Sequence, residues 1–130
     1  MTRTVFIGQP GDELRDLYAV VLRAQQAAMD VLQPGVTGVA ADAAARDVIV
    51  LAGHADAFGH GLGHGIGLET HEAPILRHYA EPLQVGMVFS LEPGIYLPGR
   101  TGIRIEDIVA LEETGPRLLT RSPREILVLG

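Results

Sequence analysis

The sequence predicts an α+β fold in which two helices pack on one face of an antiparallel sheet. Three observations predict it. Apolar residues recur at spacings of three and four through the first third of the chain, in two consecutive stretches. A run between Gly59 and Gly67 then places glycine at every second position, which a helix disfavours by about 1 kcal/mol per glycine relative to alanine. Beyond it, short apolar segments separated by Pro-Gly and charged turns read as strands, so helices precede sheet along the chain.

Taken in order, Thr4 to Gly8 is a short apolar strand that stops at Gln9-Pro10-Gly11. Gly11 or Asp12 caps a helix from about Glu13 to Leu32, with Leu14, Leu17, Val21, Ala24, Ala28 and Val31 on its apolar face. Pro34-Gly35 ends it. A second helix runs from about Val39 to Ala52, with Thr37 or Gly38 near its start and Gly53 after its end. The glycine run is expected to be extended or looping, with its backbone pressed close to something else. Met87 to Leu97 and Gly102 to Glu112 read as two strands joined by Pro98-Gly99-Arg100-Thr101, and Glu125 to Leu129 as a closing strand. No repeat, linker or low-complexity segment interrupts the order.

Length and composition bound the possibilities. The 130 residues suit one domain, and 47% hydrophobic with 20% charged residues is ordinary for a globular chain. No apolar run reaches the roughly 18–20 residues of a membrane span, so no membrane partner is expected. The opening residues lack a signal-peptide layout, and the absence of cysteine leaves no disulfide framework or thiolate metal site. A soluble, cytoplasmic protein is the expectation. A net charge of −6 argues against a nucleic-acid partner, which would favour a basic face. All ten basic residues are arginine, which reads as genomic composition bias.

Two groups of residues carry chemistry. His60, His64 and His71 fall within twelve residues of glycine-rich chain, and the spacing of four puts His60 and His64 on one face if the segment is extended. Neutral imidazole is both the commonest metal ligand and the usual acid–base group near neutral pH. The plainer alternative is histidines that cap backbone groups in a loop. A zincin motif at His71-Glu72 is excluded, because position 75 is Ile75 and Pro74 disrupts a helix.

Glu92 and Glu106 form the second group. A hairpin centred on Gly99 pairs positions whose numbers sum to 198, which sets Glu92 opposite Glu106 on one face, with Cβ atoms about 5 Å apart. Like charges so placed, inside apolar strands, require neutralisation. A divalent cation held by oxygen and imidazole would supply it: manganese, cobalt or zinc. The competing reading is a buried Arg104–Glu106 pair without metal. Pro93-Gly94 is expected to interrupt the ladder and to shift its register by a bulge.

Three blocks together carry a resemblance: His60-Gly-Leu-Gly-His64-Gly-Ile-Gly-Leu-Glu-Thr-His71-Glu-Ala-Pro74, then Ser90-Leu91-Glu92-Pro93-Gly94-Ile95-Tyr96, then Gly102-Ile-Arg104-Ile-Glu106-Asp107-Ile108-Val109. In order, spacing and content the chain resembles the creatinase/aminopeptidase P/prolidase family of pita-bread metallopeptidases, over nearly its whole length. The resemblance implies that His64 and Glu92 are metal ligands and that Glu106 bridges two ions. It implies His60 and His71 as substrate-pocket catalytic groups, and Arg104 as the residue that holds the ligand network. The implied reaction is hydrolysis of the bond before proline in a peptide substrate by metal-activated hydroxide, with Mn²⁺ or Co²⁺ favoured and Zn²⁺ an option. Methionine aminopeptidases resemble the chain at Gly63 to Gly67 but usually differ after the Glu-Pro pair, and creatinase shares the fold with a non-peptide substrate.

The resemblance also implies what residues 1–130 do not contain. The family's two aspartate ligands are set on strands before a segment like Met1 to Phe6, and none of the seven aspartates here is an evident substitute. Residues 1–130 are therefore expected to be the C-terminal part of a catalytic domain, holding at most one of the two ions and having little or no activity alone. A non-catalytic relic or metal-binding module is the alternative. Exposed sheet surface is expected to favour a homodimer.

Overall fold

A computed structural model describes all residues, 1–130. After strand β1 (Val5–Ile7) come helices α1 (Asp12–Val31) and α2 (Gly38–Leu51), then strands β2 (His64–Gly65), β3 (Glu72–Ile75), β4 (Val88–Leu91), β5 (Gly94–Leu97), β6 (Thr101–Arg104), β7 (Asp107–Glu112), β8 (Gly115–Leu118) and β9 (Leu127–Leu129). Short 3-10 turns occupy Ala55–Ala57 and Leu76–His78. No helix is long and apolar enough to cross a membrane.

Both helices form where the periodicity places them. In α1 the residues Leu17, Tyr18, Val21, Ala24, Gln25 and Ala28 are buried, a stripe at helical spacing. The one polar member of that stripe is Gln25. Gly11 occupies the N-cap of α1. At α2 the Thr37 side chain accepts a hydrogen bond from Ala40 N, satisfying one of the helix's orphan donors. Ala24 and Ala28 on one helix, with Ala41 and Ala45 on the other, are fully buried and let α1 and α2 approach closely. Gly53, at φ +85°, follows the end of α2. Helix α1 lies against the β5–β6 hairpin, and the buried faces share a single core with Phe89, Leu91, Ile95, Ile103, Ile105, Val109 and Leu111.

The sheet differs from expectation in three respects. The two long strands are four. β4 and β7 lie in a five-stranded antiparallel sheet of order β3-β2-β4-β7-β8, whereas β5 and β6 form a hairpin of their own. The break falls at Glu92-Pro93 and Ile105-Glu106, where Pro93 has no N–H to donate to a ladder. The register, however, does not slip: Leu91 pairs with Asp107 on one side of the break and Gly94 with Arg104 on the other, and both pairs sum to 198. The expected bulge shift is absent there; a register shift falls between His64 and Gly65 instead. Finally, β1 pairs with β9 in parallel, so the molecule is not wholly antiparallel. Strands β3 and β8 had no signal strong enough to be read from sequence.

The glycine run is pressed close to its neighbours, as expected. A Cβ on Gly63 would fall 1.8 Å from the Ser90 carbonyl oxygen, and one on Gly65 would fall 2.1 Å from the Ala73 carbonyl oxygen. Both are steric prohibitions by backbone, which cannot swing aside as a side chain can. Gly63→Ala is expected to cost about 3 kcal/mol or more, in the class of overpacked core substitutions. Gly59→Ala, with nothing within 4 Å of its Cβ, should stay within about 0.5 kcal/mol. Urea unfolding midpoints of the two variants check the contrast.

Candidate functional site

The break in the hairpin opens onto a cavity of about 590 Å³ lined by His64, His71, Glu92, Arg104 and Glu106, with Met1, the segment from Ile66 to Thr70, and Ile108. Five of the six residues singled out from sequence therefore share one cavity. The sixth does not. The chain from Gly59 to Gly63 is not a strand, so alternation does not carry His60 to the face of His64. The His60 ring instead packs between Phe58 and Tyr96, with Nε2 at 2.9 Å from the Tyr96 hydroxyl and Nδ1 at 2.8 Å from the Gly61 carbonyl.

His64 and Glu92 approach each other most directly. The Nδ1 of His64 lies 3.0 Å from the Gly65 carbonyl, an acceptor only, so this nitrogen carries the proton. The other ring nitrogen, Nε2, faces the Glu92 carboxylate, at 3.2 Å from Oε1. Their side chains retain 15% and 14% exposure, enough to reach the cavity and too little for free hydration. Two ligands each about 2.1 Å from a common ion are separated by about 3.0 Å at a right angle and about 3.4 Å at the tetrahedral angle. The observed separation falls between these, so the donor pair fits a divalent cation. Without one, a proton on Nε2 makes the same contact an ion pair.

Ser90 organises this pair and was not singled out from sequence. It is fully buried on β4. Its hydroxyl accepts from His64 N at 3.0 Å and donates to Glu92 Oε1 at 2.9 Å, joining the backbone of one candidate ligand to the carboxylate of the other. The only sequence signal for this role was its position two before Glu92, on the same face of a strand.

Glu106 is held differently. Its carboxylate accepts from the Thr2 hydroxyl and from the Met1 ammonium, the latter at 3.2 Å. Burial pushes its pKa up, but the Thr2 hydroxyl, the ammonium and the Arg104 guanidinium outweigh this and hold it below the ordinary carboxylate value. Arg104 makes no ion pair with Glu106. Its Nε donates to Thr2 Oγ1 at 3.3 Å, so the metal-free Arg104–Glu106 salt bridge considered from sequence is not the arrangement found. No three histidine, aspartate or glutamate side chains converge closely enough to form a complete ligand cluster. The second imidazole in the cavity, His71, lies against His64 with ring centroids 4.2 Å apart.

Helix α2 anchors the loop that carries these histidines. Asp42 accepts from Leu62 N at 2.8 Å and pairs with Arg46 at 2.9 Å. Arg46 in turn donates to the carbonyls of Phe58 and His60, each at 2.8 Å, and lies over the Phe58 ring. Neither residue was marked from sequence, because an Asp and an Arg four apart on a helix usually denote a solvated pair.

Known proteins resemble the chain over nearly its whole length. A Bacillus subtilis protein named uncharacterized peptidase YqhT is 47% identical over 99% of the chain, and the Xaa-Pro dipeptidase of Pyrococcus furiosus is 45% identical over 98%. The crystal structure of X-Pro aminopeptidase from Thermotoga maritima superposes with a TM-score of 0.94 at 48% identity, covering 98% of this chain and 36% of that one. The chain spans 37% of the length of each of the two curated relatives. The fold is the pita-bread α+β arrangement of these structures, represented here in part. The profile of metallopeptidase family M24 matches residues 1–113, and the chain belongs to that family.

Proposed function

We propose that this chain forms part of the catalytic centre of a metal-dependent Xaa-Pro peptidase, of dipeptidase or aminopeptidase P type, that hydrolyses the bond before proline. The observation that carries the reading is the His64–Glu92 pair, 3.2 Å apart in the lining of one cavity. The names of relatives in the same family support the substrate class. On this reading residues 1–130 are a partial catalytic domain, and two aspartate ligands come from sequence outside it. A methionine aminopeptidase or creatinase-like enzyme fits less well, and a non-catalytic metal-binding module is the second reading.

A bound divalent cation would supply Lewis acidity and a water of lowered pKa. This chain's residues do the rest. His64 would offer Nε2 to the ion, its ring oriented by the contact of Nδ1 with the Gly65 carbonyl. Glu92 is aimed by Ser90. Glu106, whose carboxylate accepts from the Thr2 hydroxyl and is held below the ordinary carboxylate pKa, would be a further ligand. His71 is the group at the cavity wall able to hold or release a proton beside a peptide carbonyl. His60, held against Tyr96, contributes by positioning a substrate or its loop. Mn²⁺ or Co²⁺ suits this mixed imidazole and carboxylate set, and Zn²⁺ also fits. A cytoplasmic setting and a proline-containing peptide partner complete the proposal.

The partner surface follows from β1 and β9. Ile7, Leu127, Leu129 and Val5 are 83%, 53%, 44% and 42% exposed on a two-stranded sheet whose edges are unpaired. We expect self-association through this sheet, and multi-angle light scattering showing a monomer at high concentration would remove it.

Calorimetric titration of Mn²⁺ into the chain is expected to show one weak site that disappears in Glu92→Ala. Ser90→Ala should weaken it about tenfold, the effect usual for an outer partner of a ligand. Unchanged binding in both variants would transfer the ion elsewhere and end the reading. Turnover of an Xaa-Pro dipeptide by the isolated chain is expected to be absent or nearly so. Robust turnover that is lost in His64→Ala would show instead that these residues suffice.

A further inference from the structure

Gln25 is the one polar residue in the buried stripe of α1, and it has no exposed surface at all. A buried amide is retained only where its hydrogen bonds are made. Here Nε2 lies 3.2 Å from the Leu91 carbonyl, 3.3 Å from the Ile105 carbonyl and 3.1 Å from Asp107 Oδ2. All three are acceptors, so the amide nitrogen faces them, its two N–H groups shared among three partners. On the other side, Oε1 accepts from Arg124 Nη1 at 3.4 Å, which fixes the orientation of the amide.

The position of these carbonyls matters. The Leu91 carbonyl belongs to the peptide unit that leads into Glu92, and the Ile105 carbonyl to the unit that leads into Glu106. The N–H ends of the same two units are also held: Glu92 N donates to the Leu62 carbonyl at 2.7 Å, and Glu106 N donates to the Thr2 carbonyl at 3.0 Å. Each peptide plane is therefore pinned at both ends. The carbonyl ends meet at a single side chain, at the place where the ladder between β4–β7 and β5–β6 is interrupted. A peptide plane fixed in this way fixes the direction in which the next side chain leaves the backbone. A single rigid amide that holds both planes also fixes their separation.

We infer that Gln25 is a positioning residue that sets the spacing and aim of the Glu92 and Glu106 carboxylates from the opposite side of the sheet. The inference rests on the proposed role of these glutamates as metal ligands. Gln25 touches no ion or substrate; it acts through the two peptide units. A residue that only filled the core would make the same contribution to stability but would not couple to the carboxylates.

The test separates these roles. Gln25→Met keeps the volume and removes the donor; Gln25→Asn keeps the amide and withdraws it by one methylene, as a second variant should the first fail to fold. Ile49→Val, a fully buried change on α2, serves as the stability control. Each folded variant is titrated with Mn²⁺ by calorimetry, and amide hydrogen exchange is followed at Glu92 and Glu106 without metal. The expected result is an affinity at least tenfold weaker in the Gln25 variants than in the control. Exchange at Glu92 and Glu106 should also quicken at least tenfold beyond the mean change of the core amides. Unchanged affinity in a variant that binds would overturn the inference. If the parent chain binds no Mn²⁺, the metal reading fails for this chain and exchange alone decides. Selective quickening at the two glutamates then upholds the positioning role, and a uniform change refutes it.

Discussion

Two carboxylates set opposite each other in an apolar hairpin are the constraint from which the rest of this structure follows. In an unbroken ladder Glu92 and Glu106 would be directly opposed, and like charges so placed are destabilising. The fold opens the ladder at that point. It keeps the register on both sides, so the two residues remain opposite while their backbones turn away from each other's hydrogen bonds. Each carboxylate is then given its own donors: Ser90 for Glu92, and Thr2 with the Met1 ammonium for Glu106. Strands β4 and β7 on one side and β5 and β6 on the other each keep paired backbones. Glu92 and Glu106 thus sit where the ladder between the two arms is interrupted, and their backbone N–H groups are taken up by Leu62 and Thr2 instead.

The glycine run meets the same constraint from the adjoining segment. For His64 to face Glu92, its backbone must pass within contact of Ser90 and Ala73, and at Gly63 and Gly65 no side chain fits. Phe58 and Leu62 tie the loop into the core, but its glycine-rich backbone carries a high entropic cost of ordering. The Asp42–Arg46 pair offsets this from α2 by binding one N–H and two carbonyls of the segment from Phe58 to Leu62. Stability and site geometry are linked at these contacts, since loosening the loop from the helix also frees the imidazole of His64.

Much of the fold was legible because its signals are local. The stripe in α1, the Thr37 cap and Gly53 are each readable from a few adjacent residues. The numerical register of the hairpin was legible too, because a turn at Gly99 fixes it without reference to the rest of the chain. What failed was non-local. The parallel pairing of β1 with β9 joins residues at the two ends of the sequence, and no pattern within either strand announces it. His60 was assigned a face by strand alternation that its segment does not obey. Ser90, Asp42 and Arg46 passed unmarked because their partners lie far along the chain. The metal-free alternative paired Arg104 with Glu106 because they are two apart in sequence, whereas its Nε donates to Thr2, a residue 102 positions away.

The three histidines also divide by how their rings are held, which bears on what each can do. His60 has both nitrogens engaged and aromatic neighbours on two sides, so a proton change there would disturb Tyr96 and the loop. His64 has Nδ1 held at the Gly65 carbonyl, which orients its other nitrogen towards Glu92. His71 lines the same cavity with its ring against that of His64, so the position of one imidazole constrains the position of the other, and a group entering the cavity meets both rings together.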